Sequence, residues 1–252
     1  INYCVNDLNL QSSYFALGAG TSNTAVALAV MGTDLYVGGD FIQAGGNPAN
    51  YIAKFNTLTN TWSPLGTGTK NVVRSLAVMG TDLYVGGNFT QAGGKPASNI
   101  AKWDTLTSTW SALGSGLNSA VYALAVMGTD LYVGGNFTPR SSGLTVNRIA
   151  KWDTVNSNWS ALGDGLNSAV YALAVMGTDV YVGGDFTQAS GLTVNRIAKW
   201  DGSNWSALGT GTNGQVNALA VMGTNLYVGG GFSQTGSQAG DISASNIAKW
   251  DT

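Results

Sequence analysis

The sequence predicts an all-β protein, and two observations carry that prediction: one stretch of text recurs five times, and no segment shows the helical period. The recurring text is marked by Met31, Met79, Met127, Met176 and Met222, each followed by Gly, at spacings of 48, 48, 49 and 46 residues. The eight Trp residues fall in only two positions of this repeat. A period of this length indicates a tandem array of supersecondary units.

Each repeat reads as four short strands, which the third repeat shows in order. Val121 to Met127 is almost wholly apolar, as expected of a strand buried on both faces. Gly128 to Asp130 has turn chemistry, and Leu131 to Phe137 then reads as the second strand. Arg148 to Asp153 and Asn158 to Leu162 are the predicted third and fourth strands.

Four-stranded units of this length favour the blades of a β-propeller over an open β-solenoid, which needs a cap at each end. The last repeat stops after its third strand at Asp251, whereas Ser13 to Gly18 reads as a spare fourth strand, similar to Thr109 to Gly114. Pairing the two ends removes two exposed sheet edges. We therefore predict a five-bladed β-propeller with four-stranded blades, closed by an N-terminal outer strand plus three C-terminal strands.

The predicted domain organisation follows from the same repeat. Residues 1–11 are an N-terminal lead segment, and residues 12–252 form a single five-bladed propeller. The predicted blades span about 24–66, 71–114, 119–163, 168–209 and 214–252, the last completed by residues 12–18.

A Gly-Gly pair ends the second strand, an aromatic residue lies in the third, and a Trp opens the fourth; in that order they resemble kelch repeats. Val133 to Thr138, Asn99 to Asp104 and Trp110 to Gly114 are more similar still to the kelch-like repeats of the Rax2-type cortical marker family and of many bacterial secreted proteins. The resemblance covers about residues 12–252 and implies a propeller. It does not select a function, because such repeats serve many partners.

Composition excludes several classes of function. Eleven basic and thirteen acidic residues give a net charge of −2, which lacks the dense positive field of a nucleic-acid surface. With no His and a single Cys, the chain has neither a Ser-His-Asp triad nor a Cys-His zinc site, and we predict no metal, no cofactor and no enzymatic activity. The longest apolar run, Ala25 to Met31, is too short to span a membrane. The abundance of Gly, Ser, Thr and Asn favours an extracellular or cell-surface location.

Residues that recur in every repeat have a packing role in each, so candidate functional residues are sought where the repeats disagree. One variable position lies five residues before each Met and holds Val26, Arg74, Tyr122, Tyr171 and Asn217. Because the first strand of a blade is innermost, we expect this ring at the mouth of the central channel. Aromatic faces beside hydrogen-bonding groups suit a glycan or a peptide. The alternative is that these side chains simply plug the channel.

The second set of candidates lies in loops. The loops that precede the first strand and follow the second strand share one face, and loops on a rigid scaffold concentrate binding residues. Lys95, Arg140 and Asp241 are charged residues there that no other repeat carries in register.

The function predicted from sequence is a non-enzymatic extracellular binding or scaffold module that engages a protein partner through this loop-rich face. One alternative is a lectin that binds glycans at the channel mouth or in pockets between blades. Another is a structural spacer of a longer surface protein. Neither nucleic acid nor a membrane-spanning segment is part of any of these predictions.

Overall fold

The structure, a computed structural model, describes residues 14–138, 146–237 and 240–251, and all of its regular elements are β-strands. The first repeat contains β1 (Ala25–Met31), β2 (Asp34–Gly39), β3 (Gln43–Ala44), β4 (Asn47–Pro48), β5 (Ile52–Asn56) and β6 (Thr61–Pro64). The second contains β7 (Val73–Met79), β8 (Asp82–Gly87), β9 (Gln91–Ala92), β10 (Lys95–Pro96), β11 (Ile100–Asp104) and β12 (Thr109–Ala112).

The remaining repeats follow the same order. The third contains β13 (Val121–Met127), β14 (Asp130–Gly135), β15 (Ile149–Asp153) and β16 (Asn158–Ser160). The fourth contains β17 (Val170–Met176), β18 (Asp179–Gly184), β19 (Gln188–Ala189), β20 (Leu192–Thr193), β21 (Ile197–Trp200) and β22 (Trp205–Ala207). The fifth contains β23 (Gly211–Thr212), β24 (Val216–Met222), β25 (Asn225–Gly230), β26 (Gln234–Ser237), β27 (Gly240–Ser243) and β28 (Ile247–Asp251).

Each of the first four repeats folds into one antiparallel four-stranded sheet, as predicted, with β1-β2-β5-β6 as the pattern. The fifth repeat forms the three-stranded sheet β24-β25-β28. Short hairpins such as β9–β10 and β19–β20 lie in the loop between the second and third strands, and the sequence analysis did not predict them. Gly128 begins the tight turn between β13 and β14 at a φ of 60°, a conformation that glycine adopts without steric cost.

Neighbouring sheets pack face to face, and the hydrophobic core lies between them. Tyr84 and Ile100 of the second sheet pack against Leu131 and Val133 of the third. The Gly-Gly pair makes this approach possible: a Cβ on Gly134 would lie 2.4 Å from Cγ1 of Val170 in the next sheet. The same contact recurs at Gly38–Val73, Gly86–Val121 and Gly183–Val216. The Gly-Gly pair therefore permits close approach of neighbouring blades.

The described residues do not show the predicted closure of the ring, and a five-bladed closed ring therefore stays a prediction. The inner strands pack in the order β1, β7, β13, β17, β24, and β28 pairs with β25 alone. Leu28 and Val30 of β1 remain 64% and 68% exposed, so no sheet covers that face. Among the described residues, four packed interfaces link the five sheets in this order, and we call these five sheets the arc.

Candidate binding surface

Three of the predicted channel-mouth residues form a stacked row on successive inner strands. The guanidinium carbon of Arg74 on β7 lies 5.6 Å from the ring centroid of Tyr122 on β13. The rings of Tyr122 and Tyr171 on β17 have centroids 5.5 Å apart and are tilted by 34°. These distances are those of a cation–π contact and an aromatic pair. We call Arg74, Tyr122 and Tyr171 the aromatic row.

The other two members of the predicted ring flank this row. Val26 is about half exposed on β1. The Oδ1 atom of Asn217 on β24 accepts a hydrogen bond of 2.7 Å from Nε2 of Gln215. Burial raises the pKa of the Tyr171 hydroxyl, and the carboxylate of Asp185 adds to the rise, so Tyr171 stays a neutral hydrogen-bonding group at physiological pH. Ligand binding by the ring stays a prediction.

The loop candidates lie apart from the aromatic row. Lys95 belongs to the β9–β10 hairpin, which packs against the outer strand β12 rather than against inner strands. Asp241 lies on β27 and accepts a hydrogen bond of 3.2 Å from Oγ1 of Thr210. Arg140 lies outside the described residues. The structure therefore does not assemble the seven sequence-predicted residues into one site.

A set of pockets that the sequence analysis did not locate lies where neighbouring repeats meet on the loop face. Each pocket is formed by the end of one repeat's long loop and by the loop that precedes the next repeat's first strand. We call them the junction pockets. Their cavities measure about 480, 280 and 460 Å³, and their linings include Tyr51 and Lys70 in the first, Arg148 and Asp164 in the second, and Arg196 and Asp241 in the third.

The residue that anchors each junction pocket has an unusual backbone conformation. Tyr51, Arg148 and Arg196 have φ values of 64°, 63° and 70°, and Asn99 and Asn246 take the same conformation in the other two repeats. The fold requires it, because the amide of Tyr51 donates to the Phe41 carbonyl at 2.7 Å while its carbonyl accepts from the Gly39 amide at 3.0 Å. Asn adopts a positive φ readily, whereas Tyr and Arg do so at a cost of about 1 kcal/mol or more.

Hydrogen bonds hold the pocket walls in place. The Asn that precedes the anchor ties one repeat to the next, since Nδ2 of Asn147 donates to the Asp164 carbonyl at 3.0 Å and Nδ2 of Asn195 to the Thr210 carbonyl at 2.8 Å. Nη1 of Arg148 donates to the Asn136 carbonyl at 2.8 Å, and Nη1 of Arg196 to the Thr212 carbonyl at 3.0 Å. A guanidinium carries five N–H donors, so these contacts orient each group while its other donors can serve a ligand.

One signal in the sequence could have located these anchors. The position directly before the recurring Ile-Ala-Lys text holds Tyr, Asn, Arg, Arg and Asn in the five repeats. The repeats disagree there as clearly as they do at the aromatic row. It was missed because the position follows loops of unequal length, which hides its common register.

The recurring Lys and Asp residues have a different role from the pockets. Nζ of Lys151 lies 2.9 Å from Oδ2 of Asp130, and this hydrogen bond raises the pKa of the Lys151 ammonium. The same pair forms in the other three four-stranded sheets. In the fifth repeat Asn225 replaces the Asp, and Lys249 instead lies 2.7 Å from Oδ1 of Asp251. The recurring Lys residues are therefore engaged in ion pairs in all five repeats.

The described residues contain no group of three or more His, Cys, Asp or Glu side chains placed to hold a metal ion. They also contain no helix long and apolar enough to cross a bilayer.

Repeated antiparallel sheets packed around inner strands define a β-propeller repeat protein. The chain matches the Rax2 C-terminal beta propeller domain over residues 65–209, and a beta-propeller domain of unknown function, DUF5122, over residues 35–57. The chain belongs to the Rax2 C-terminal propeller family, which confirms the Rax2-type resemblance. A search of the curated proteins finds no significant match.

Solved structures share the fold. The computationally designed Ika8 protein matches with a TM-score of 0.59 at 19% identity, covering 92% of this chain and 60% of that chain. The WD40 repeats of RRP9 match with a TM-score of 0.61 at 14% identity, covering 92% and 61%. The computationally designed Ika4 protein matches with a TM-score of 0.51 at 20% identity, covering 75% and 98%. The chain thus spans about three-fifths of the length of the first two.

Proposed function

We propose that the chain is a non-enzymatic extracellular module that binds glycans in its junction pockets. The observation that carries the proposal is the choice of residue at the pocket anchor. Three of the five repeats place Tyr or Arg at a left-handed backbone position that Asn occupies in the other two. A costly conformation held by a side chain that lines a pocket favours a role in binding.

The chemistry of the pockets suits a polyhydroxylated ligand. Their walls are rich in amides, hydroxyls and glycine backbone, such as Asn167, Gln188, Ser190 and Gly191 in the pocket anchored by Arg148. Arginine and amide groups can donate to sugar hydroxyls, and Tyr51 adds an aromatic face in the first pocket. Equivalent pockets on one rigid face support multivalent binding, in which several weak contacts add to a useful avidity. Propellers of the Rax2 and DUF5122 families are associated with cell-surface proteins, where glycans are present.

Binding to immobilised glycans tests this proposal through substitutions that the fold already accepts. Tyr51→Asn, Arg148→Asn and Arg196→Asn install the residue found at Asn99 and Asn246. Stability should change by less than about 1 kcal/mol, because relief of the left-handed strain offsets the lost side-chain contacts. Glycan binding should fall at least 10-fold in the triple variant. Binding that is unchanged in the triple variant, or absent from the wild-type chain across a broad glycan panel, overturns the proposal.

A protein partner at the aromatic row is the second candidate, favoured by a specific observation. The row occurs once in the arc and is asymmetric, since Val26 and Asn217 occupy its register at the two ends. A single aromatic and cationic strip of this kind suits one asymmetric partner. Arg74→Ala with Tyr122→Ala should abolish capture of such a partner and leave glycan binding intact. The two sets of variants therefore separate the two candidate functions.

A further inference from the structure

Four of the five repeats share one socket for an aromatic side chain. The indole of Trp110 on β12 packs on Trp103 with ring centroids 5.3 Å apart. Its Nε1 donates to the carbonyl of Leu65, which lies at the end of the preceding blade's outer strand, at 2.8 Å. Its other face lies against Gly93, where a Cβ would come within 2.5 Å of the indole. The corresponding indole hydrogen bonds are Trp62 to Leu17 at 2.8 Å, Trp159 to Leu113 at 3.1 Å and Trp205 to Leu162 at 3.0 Å.

In the fifth repeat the same place is a cavity of about 310 Å³. It is lined by Trp250, Leu208 and Gly236, which correspond in the repeat to Trp103, Leu65 and Gly93. Among the described strands, β28 pairs only with β25, so its outer edge is free. The cavity is therefore the aromatic socket of a blade whose fourth strand is missing from the sheet.

The segment that fits this socket lies at the opposite end of the arc. Tyr14 to Gly18 reads Tyr-Phe-Ala-Leu-Gly, and the fourth strand at Trp110 to Gly114 reads Trp-Ser-Ala-Leu-Gly. The Leu17 carbonyl already accepts the Trp62 indole, so the end of this segment is held as in every other blade. The side chain of Tyr14 is fully exposed. Residues 14–17 match a fourth strand in sequence but form no strand among the described elements.

The faces next to these two features are complementary as well. At the first repeat, Leu28 and Val30 are 64% and 68% exposed. At the fifth repeat, Met222 and Ile247 are 64% and 67% exposed. Ile52, the counterpart of Ile247 in the first repeat, is by contrast fully buried. A Cβ added to Gly229 would meet no atom closer than 3.7 Å, whereas a Cβ added to the equivalent Gly38 would collide with the side chain of Val73 in the next blade. The equivalent of Val73 at the uncovered end is Ala25.

We propose that two copies of this chain join head to tail, with residues 14–17 of one copy completing the fifth blade of the other. By the register of β11 and β12, Tyr14 comes to lie opposite Trp250, and Ala16 opposite Ala248. The exposed face of β1 then covers β24 and β28 of the neighbouring copy, and Ala25 packs on Gly229. Completion of a sheet by a strand from another chain combines main-chain hydrogen bonds with side-chain pockets.

The geometry of the arc explains why the donor is a second copy and not the same chain. Four interlocked interfaces fix the rotation between blades, and β1 and β24 stand at opposite ends of the packing order. Bringing the ends of one chain together would strain all four interfaces. Because the joined surfaces differ, a joined pair keeps one free donor on one copy and one free socket on the other, so further copies can add.

Paired variants that each block one end test the head-to-tail arrangement. Leu28→Asp blocks the donor end, and Met222→Asp blocks the socket end; both side chains are exposed, so each variant should fold. In sedimentation the wild-type chain should grow in mass with concentration, and each variant alone should stay monomeric. A one-to-one mixture should form dimers and nothing larger, because only one productive interface remains. Leu106→Asp, at another exposed apolar residue, should behave like the wild type.

Cross-linking then separates exchange between chains from closure within one chain. Ala16→Cys and Ala248→Cys, combined with Cys4→Ser, place two thiols directly opposite each other across the proposed strand pair, at a spacing that a disulfide can span. Joining between copies gives covalent dimers and longer species on a non-reducing gel. A cross-linked monomer, a chain that stays monomeric at every concentration, or an absence of disulfide would each overturn the proposal.

Discussion

The indole Nε1 of Trp110 donates to the carbonyl of Leu65 in the preceding blade at 2.8 Å, so each outer strand is tied to its neighbour. Trp110→Phe should lower the free energy of unfolding by about 1–3 kcal/mol, since a hydrogen bond and part of a buried ring are lost. The Leu65 carbonyl keeps its bond from the Gly68 amide at 3.0 Å, which limits the cost. Urea unfolding measures the change. Trp62→Phe, at a less buried indole, should cost less; an equal or greater cost would contradict this account.

Gly134 and Gly229 occupy the same position in two repeats, but only Gly134 has a blade against it. Gly134→Ala should cost about 1–3 kcal/mol or more, because the added Cβ would lie 2.4 Å from Cγ1 of Val170. Gly229→Ala meets nothing closer than 3.7 Å and should be neutral or slightly stabilising in the monomer. Combining Gly134→Ala with Val170→Ala should recover part of the loss. Thermal unfolding of the three variants measures these effects; equal effects at the two glycines would disprove the interlocking.

These packing roles were largely predictable, and the ring closure was not. Strand positions, tight turns and the close approach at Gly-Gly pairs are local properties that recur in every repeat, so the sequence states them five times. The rotation from one blade to the next depends on side-chain volumes across the interface, such as Val170 on Gly134, and no single repeat reveals it. That Tyr14 belongs to a fourth strand, and which sheet that strand completes, both stay predictions.

In the candidate site, too, some residues could be predicted from the sequence and others were missed. The aromatic row was found because Arg74, Tyr122 and Tyr171 share a fixed distance from the Met of their repeats. Tyr51, Arg148 and Arg196 were missed because they follow loops of unequal length, which hides the register that they share.

The ion pair between Lys151 and Asp130 should contribute little to stability. Both side chains are about a quarter to a third exposed, and pairs of this kind contribute about 0–1 kcal/mol. Asp130→Asn should therefore lower the free energy of unfolding by less than about 1 kcal/mol, and Asn225 shows that the turn accepts Asn. The hydrogen bond that the Lys151 ammonium donates to the Asp130 carboxylate raises the pKa of Lys151, so the substitution should lower that pKa. Titration of the labelled Lys151 ammonium by NMR tests the second point, with Lys199 as the unchanged internal control.

The turn carboxylates should make folding sensitive to acid. Backbone amides of the following residues donate to the side chains of Asp104, Asp153 and Asp201, and these hydrogen bonds hold each pKa below its usual value. A depressed pKa contributes stability above the unfolded-state value, near 3.8, and that contribution is lost as the pH falls through the lower folded-state value. Asn56 accepts the same amide bonds in the first repeat through a neutral side chain. Changing the three Asp residues to Asn should therefore make the urea midpoint fall less steeply below about pH 4, where wild-type stability drops.

The control variant is Asp164→Asn, at a residue whose described hydrogen bonds use only its backbone; it should keep the wild-type dependence of the urea midpoint on pH. If the triple variant loses stability as steeply as the wild type, the turn carboxylates are not the acid-sensitive groups.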